Sequence, residues 1–152
     1  MMNNKRLYYR YLPYLFVIFQ LGALAFIVFT GPLFSISISG LAVEFFGIAL
    51  AAWAVVIMRS NANVTPVPKK SGVLVTWGPY KYIRHPMYIA QIIAVIPLVI
   101  DHPSPWRSGA LLILIITLLF KLHYEEKRLV DHFGESYNNY QKQSKKLLPF
   151  IF

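Results

Sequence analysis

Residues 11–58 read YLPYLFVIFQLGALAFIVFTGPLFSISISGLAVEFFGIALAAWAVVIM, and Glu44 is the only formal charge in that stretch. A bilayer core takes about 20 helical residues to cross, so the stretch holds two spans. The first is expected at Leu12 to Phe34, long enough at about 1.5 Å rise per residue to cross with some tilt. Gly31, Pro32 and the run Ser35, Ser37, Ser39, Gly40 then turn the chain into a second span at Ile38 to Met58. A cleavable signal peptide is the competing reading of the first segment, because Lys5, Arg6 and Arg10 precede it. The apolar run is too long for that, and further spans follow.

Composition agrees with lipid as the main solvent. Of 152 residues, 57% are apolar and 14% charged, against about 45–50% and about 25% in an ordinary soluble domain. The length allows one domain, 1–152. With no cysteine, disulfide scaffolds, thiolate metal sites and a cysteine nucleophile are excluded.

Arg59 to His85 interrupts the apolar pattern with Pro66, Pro68, Gly72, Gly78, Pro79 and five basic residues, and reads as a loop on the membrane surface. Two shorter apolar runs follow, Pro86 to Ile100 and Ser108 to Leu122. Each either crosses, with Tyr82, Trp106, His123 and Tyr124 at the interfaces, or belongs to a re-entrant hairpin shielded by protein. Four crossings are the favoured reading: an all-α integral membrane protein with spans at about 12–34, 38–58, 86–100 and 108–122, followed by an amphipathic helical segment. In a four-span chain three Lys/Arg precede the first span, five lie between the second and third, and six follow from Lys121 onward, leaving Arg107 alone on the other side. The basic side is therefore expected to be cytoplasmic, with both termini there. This sorting by alternate loops speaks against a nucleic-acid partner for the net charge of +9 and for anionic membrane lipids.

Two stretches carry residues suited to chemistry. In the first, Gly78-Pro79-Tyr80-Lys81-Tyr82-Ile83-Arg84-His85-Pro86-Met87-Tyr88, Pro86 suits the first turn of a helix, whose free amides beside Arg84 and His85 would attract a carboxylate. An interfacial belt of arginine, histidine and tyrosines is the plainer reading. The second runs from Lys121 through Glu125-Glu126 to Phe133-Gly134, Tyr137 and Tyr140. Glu125 and Glu126 differ by about 100° around a helix, so one is expected to point inward and the other to meet water. Solvated pairs, Glu125 with Arg128 and Lys127 with Asp131, are the plainer alternative. Gly134 is the expected helix stop.

A cationic helix start and an acidic helix end on one membrane face suit a zwitterion that carries an extra positive charge. S-adenosyl-L-methionine is such a ligand, its carboxylate going to Arg84, His85 and the helix start, its ammonium to a glutamate and its sulfonium to the face of Tyr80 or Tyr88. Nicotinamide cofactors fit less well, since no glycine-rich phosphate loop is present.

These two stretches resemble the integral-membrane methyltransferases typified by isoprenylcysteine carboxyl methyltransferase, with the phospholipid methyltransferases as relatives. The resemblance covers Thr65 to Phe152. It rests on Gly78-x-Tyr80-x-Tyr82-x-Arg84-His85-Pro86-x-Tyr88, on Glu125-Glu126-x-x-Leu129-x-x-x-Phe133-Gly134-x-x-Tyr137-x-x-Tyr140, and on the ending Leu148-Pro149-Phe150-Ile151. It implies a cytoplasmic-face cofactor site within 65–152, lined by Gly72, Val73, Leu74, Val75, Tyr80, His85, Pro86, Met87, Tyr88 and Glu125, with Glu126 as a second candidate. The family arginine that faces the substrate carboxylate corresponds to Lys121, which keeps the charge and loses the two-point grip, so the acceptor need not be a prenylcysteine carboxylate. Arg84 and Lys121 are thus the expected catalytic residues. The family's eukaryotic members are longer at the amino terminus, so the resemblance implies a minimal core.

Methyl transfer from a sulfonium is an in-line displacement that needs alignment and exclusion of water, with no metal. A carboxylate acceptor needs no base, whereas a thiol or amine would benefit from His123 or a tyrosine. The acceptor is expected to be a lipophilic small molecule or a lipidated substrate entering sideways between helices; nothing in the pattern assigns an oligomeric state. Two other readings remain: an NADPH-dependent lipid or sterol reductase, and a scaffold whose charges merely form interfacial pairs. Glu44 is either functional, with Gln20 and Gln91 as partners in neighbouring spans, or a carboxyl near the outer end of its span. His85, His102, His123 and His132 show no metal-ligand spacing.

Overall fold

Each apolar segment becomes a helix, and the helix ends are set by side chains that satisfy terminal amides and carbonyls. The computed structural model describes residues 2–61, 63, 65–69 and 71–148, with side chains from position 11 onward except at 60. The expected ending from Pro149 to Ile151, Lys70, and the side chains of Lys5, Arg6 and Arg10 lie outside the described residues. The regular elements among those residues are helical: α1 (Met2–Phe29), α2 (Ile38–Met58), α3 (Pro86–Asp101), α4 (Pro105–Phe133) and α5 (Glu135–Gln143). Three of them, α1 from Tyr11, α2 and α4, are long and apolar enough to span a membrane, while α3 has 16 residues. The chain is an integral membrane protein. Its outer surface agrees, with Phe29 86% and Ile38 88% exposed, a display that a water-facing surface rarely carries in contiguous patches.

α1 stops at Phe29, short of the expected Phe34. Pro32 disfavours helical backbone at Gly31, and carboxylates from other elements take the amides beyond: Ser35 N donates to Glu44 Oε2 at 2.9 Å and Ile36 N to Asp101 Oδ2 at 2.8 Å. Glu44 is therefore a buried anchor for the turn between α1 and α2. Gln20 and Gln91 do not join it; they bond to each other, Gln20 Nε2 to Gln91 Oε1 at 2.6 Å. Because Asp101 meets the α1–α2 turn, the carboxyl end of α3 lies beside that turn, at the end of the bundle opposite the loop.

Arg107, the basic residue at that opposite end, is 3% exposed. Its Nη1 donates to Ile27 O at 2.8 Å and Nη2 to Leu98 O at 2.7 Å, so one cation closes the carboxyl ends of α1 and α3, where the helix dipoles are negative. The exception to the charge sorting has a structural task.

The core is shared by α1, α3 and α4, around Ile27, Leu98, Leu114, Leu118 and Leu122. α1 packs on α4 and α2 on α3, so the consecutive helices α1 and α2 are parted by a groove floored by α3. In lipid the association of helices relies on close van der Waals fit, which small residues allow. A Cβ on Gly47 would lie 2.6 Å from Ala94 N and 2.9 Å from Ala90 O, both backbone atoms of α3. Gly47→Leu is expected to force α2 away and to cost about 1–3 kcal/mol, seen as a lower melting temperature in detergent. Gly22→Leu, with nothing within 4 Å of its added Cβ, should leave the melt unchanged.

Candidate active site

Pro86 opens α3 at its first position, as its missing amide and pre-set φ favour. The residues just before it are held by the carboxyl-terminal segment. Ile83 and Lys145 form a parallel bridge, Arg84 N donates to Lys145 O at 2.7 Å, and His85 N to Lys146 O at 3.1 Å. The start of α3 is thereby stitched to the chain beyond α5, sixty residues away.

The two polar clusters meet. Arg84 Nε donates to Glu126 Oε1 at 2.6 Å, and Arg84 Nη1 reaches Ser144 O at 2.5 Å and Gln141 O at 3.3 Å. The guanidinium thus joins α4, α5 and the approach to α3 at one buried point. His85 lies between the glutamates, Nδ1 3.7 Å from Glu125 Oε2 and Nε2 3.5 Å from Glu126 Oε1, the latter outside hydrogen-bond geometry. Its ring stacks on Tyr88, whose hydroxyl donates a short hydrogen bond to Glu125 Oε2.

Glu126 is buried while the Glu125 side chain is 25% exposed, the division that two adjacent positions about 100° apart on a helix predict. Both turn toward the imidazole, because long side chains from adjacent helical positions can reach the two edges of a ring lying against their shared groove. The solvated pairing of Glu125 with Arg128 is not what forms: Arg128 donates from Nε and Nη2 to Tyr124 Oη at 3.2 and 2.9 Å. Gly134, with φ +55°, ends α4 as expected, in backbone that glycine adopts without strain.

A cleft lies beside this cluster, lined by residues from the 58–75 segment, α3, α4 and α5. It is narrow, with about 80 Å3 open to the centre of a water molecule. Of the expected residues, Gly72, Val73, Leu74, Val75, Tyr80, Arg84, Met87 and Glu125 line it. His85, Pro86, Tyr88 and Glu126 stand outside that lining, with His85, Tyr88 and Glu126 buttressing Glu125 and Arg84. Lys121 also lies apart from the cleft: it is 2% exposed, donates to Gln20 Oε1 at 2.7 Å and sits over the Tyr88 ring at 5.2 Å. His123, the candidate base, is exposed and turned to Leu119 O on its own helix.

Sequence reasoning passed over Asn61, took Thr65 only as the start of the resemblance, and used Leu129, Tyr137 and Tyr140 only as motif positions; all five line the cleft. The tyrosine spacing of three on a short helix was the available signal, since i and i+3 share a face. Asn61 had none, because its task is set by a tertiary contact, Oδ1 accepting from Val73 N at 3.1 Å.

Three lining tyrosines remain protonated. Burial pushes Tyr140 up to about 12 and raises Tyr80 and Tyr137 as well, Glu125 adding to the first of these and Glu126 to the second. They serve as donors and packing surfaces, not as bases. Tyr140 Oη donates to Tyr80 O at 2.6 Å, while Tyr137 Oη is buried with no hydrogen-bond partner among the described residues. An unfolded tyrosine titrates near 10, so above that pH the unfolded chain sheds protons that the folded one keeps. Stability is therefore expected to be level in tyrosine terms up to about pH 10 and to fall from there toward pH 12, and Tyr140→Phe to shrink that fall; melts across alkaline pH check it.

A narrow cleft walled by a supported glutamate and protonated tyrosines thus lies at one end of an apolar helical bundle. The family model for phospholipid methyltransferases matches residues 35–136, and the chain belongs to that family. Membership implies a methyl donor. Among curated relatives, protein-S-isoprenylcysteine O-methyltransferase of Tribolium castaneum is 34% identical over 124 residues, covering 74% of this chain and 41% of the relative. Methanethiol S-methyltransferase of Pseudomonas sp. (strain GM41(2012)) is 36% identical over 87 residues, 55% of this chain and 31% of the relative. The isoprenylcysteine enzyme of Rattus norvegicus is 32% identical over 120 residues, 76% and 42%. The chain thus spans less than half the length of these relatives.

Proposed function

We propose that the protein is an S-adenosyl-L-methionine-dependent methyltransferase whose cleft opens on the cytoplasmic face and whose acceptor is a lipophilic, membrane-borne molecule. The observation that carries this reading is Glu125, on the cleft wall and braced from behind by Tyr88 and His85. The donor set fits the cofactor: a carboxylate for an ammonium, the unpartnered Tyr137 hydroxyl for a polar group, and Tyr80 for the face of a cation. When bound, the cofactor supplies an activated methyl group.

The residues divide the work. Glu125 binds and orients; the segment 72–75 and Tyr80 cover the cleft and exclude water; Arg84, already engaged by Glu126 and two backbone carbonyls, positions the carboxyl-terminal segment over the site. Lys121 faces the acceptor. With the lining tyrosines protonated and His123 turned away, an acceptor that is already anionic suits the site best. The apolar groove between α1 and α2 gives such a molecule a lateral way in.

The relatives' names are those of methyltransferases and lend the reductase reading no support. Calorimetry on the purified chain should show saturable binding of S-adenosylhomocysteine and none of NADPH. No heat with the former, or heat with the latter alone, would sink the assignment.

A further inference from the structure

The groove between α1 and α2 has a volume of about 540 Å3, with Leu24 on one side, Gly47, Ala51 and Val55 on the other and Ala94 beneath. Among the described residues lining it, Gln91 alone carries a polar side chain. Gln91 is bonded to Gln20, 5% exposed, and Gln20 in turn accepts from Lys121. Lys121 lies over the Tyr88 ring, and Tyr88 bonds Glu125 on the cleft wall. A chain of five side chains, hydrogen-bonded except where Lys121 lies over the Tyr88 ring, therefore runs from the lipid-facing groove to the cleft. Gln20 is its second member, and it stands on α1, outside the family match.

We propose that the Gln20–Gln91 amide pair is an acceptor gate: Gln20 Oε1 occupies on Lys121 the seat that an anionic acceptor head takes, and Gln20 and Gln91 are positioning residues that set acceptor specificity. The inference rests on the reading of Lys121 as the acceptor-facing residue. A neutral amide suits this task, because it satisfies a buried ammonium without neutralising it. The incoming anion displaces the Gln20 oxygen, and Gln91, whose amide can turn, donates to the newcomer. The acceptor's apolar tail stays in the groove.

The test needs neither turnover nor methyl donor. The full chain in detergent is titrated with an N-acetylated S-farnesylcysteine and, separately, with its methyl ester, which has the same tail and no charge. The free acid should bind about tenfold more tightly than the ester. Gln20→Glu fills the anion seat with a fixed carboxylate and should abolish that preference, whereas Gln20→Leu should retain it. If the acid-to-ester ratio is the same in the wild type and Gln20→Glu, or is lost equally in Gln20→Leu, the gate is refuted. Gln91→Glu takes the place of Gln20→Glu where the latter shows no cooperative melt. Binding of S-adenosylhomocysteine to the same samples separates the two readings: its absence overturns the cofactor assignment while the acid-to-ester ratio still decides the gate.

Discussion

Arg84→Ala is expected to destabilise the fold by about 3–5 kcal/mol, the range for removing one partner of a buried ion pair and leaving the other charge without compensation. The side chains of Arg84 and Glu126 are 6% and 11% exposed, so water cannot take over the lost partner. The damage should be local in space and distant in sequence. Arg84 Nη1 holds Ser144 O and Gln141 O, so the segment that stitches α5 to the start of α3 loses its anchor. Thermal unfolding in detergent should show the loss, and hydrogen exchange should show it first at residues 141–146. Arg84→Lys should recover only part of it, because a single ammonium cannot meet a carboxylate in one direction and backbone carbonyls in another. An unchanged melt in Arg84→Ala would remove the ion pair from the account of the fold.

Glu125→Gln should behave in the opposite way, weakening S-adenosylhomocysteine binding by about 10- to 100-fold, which is what the loss of one charge-assisted hydrogen bond amounts to. Its effect on the ligand-free melt should be small. The glutamine carbonyl can still accept from Tyr88, and the Glu125 side chain is 25% exposed, against 11% for Glu126. Tyr88→Phe should show a weaker form of the same loss by freeing the carboxylate to wander. The pair of results separates the two adjacent acids: Glu126 belongs to the fold through Arg84, and Glu125 to the ligand. Equal effects of Glu125→Gln on binding and on the ligand-free melt would contradict that division.

Much of the architecture was open to reading in the chain. The second span coincides with α2, Pro86 opens α3, and Gly134 closes α4. Each of these depends on a property that a residue carries with it, such as transfer free energy, a fixed φ or the freedom of glycine at positive φ. The residues of the cleft were legible as motif positions, but their partners were not. Arg84 and His85 were expected to grip a ligand carboxylate. In the folded chain Arg84 is spent on Glu126 and on carbonyls near position 144, and His85 lies between two acids. Gln20 was a partner for Glu44 in one of two readings, and it accepts from Lys121 instead. Neither partnership leaves a periodic or local trace.

The succession of apolar runs and basic loops by itself determined that this is a helical membrane protein, and which end of it gathers the cations, because partition between lipid and water is settled segment by segment. Which of the ionised groups cancel one another, and which remains on the wall of a cleft, was decided only by tertiary structure. Coulombic and hydrogen-bonding energies depend on separations of a few ångströms, and those between α1, α4 and the approach to α3 exist only once the helices have packed.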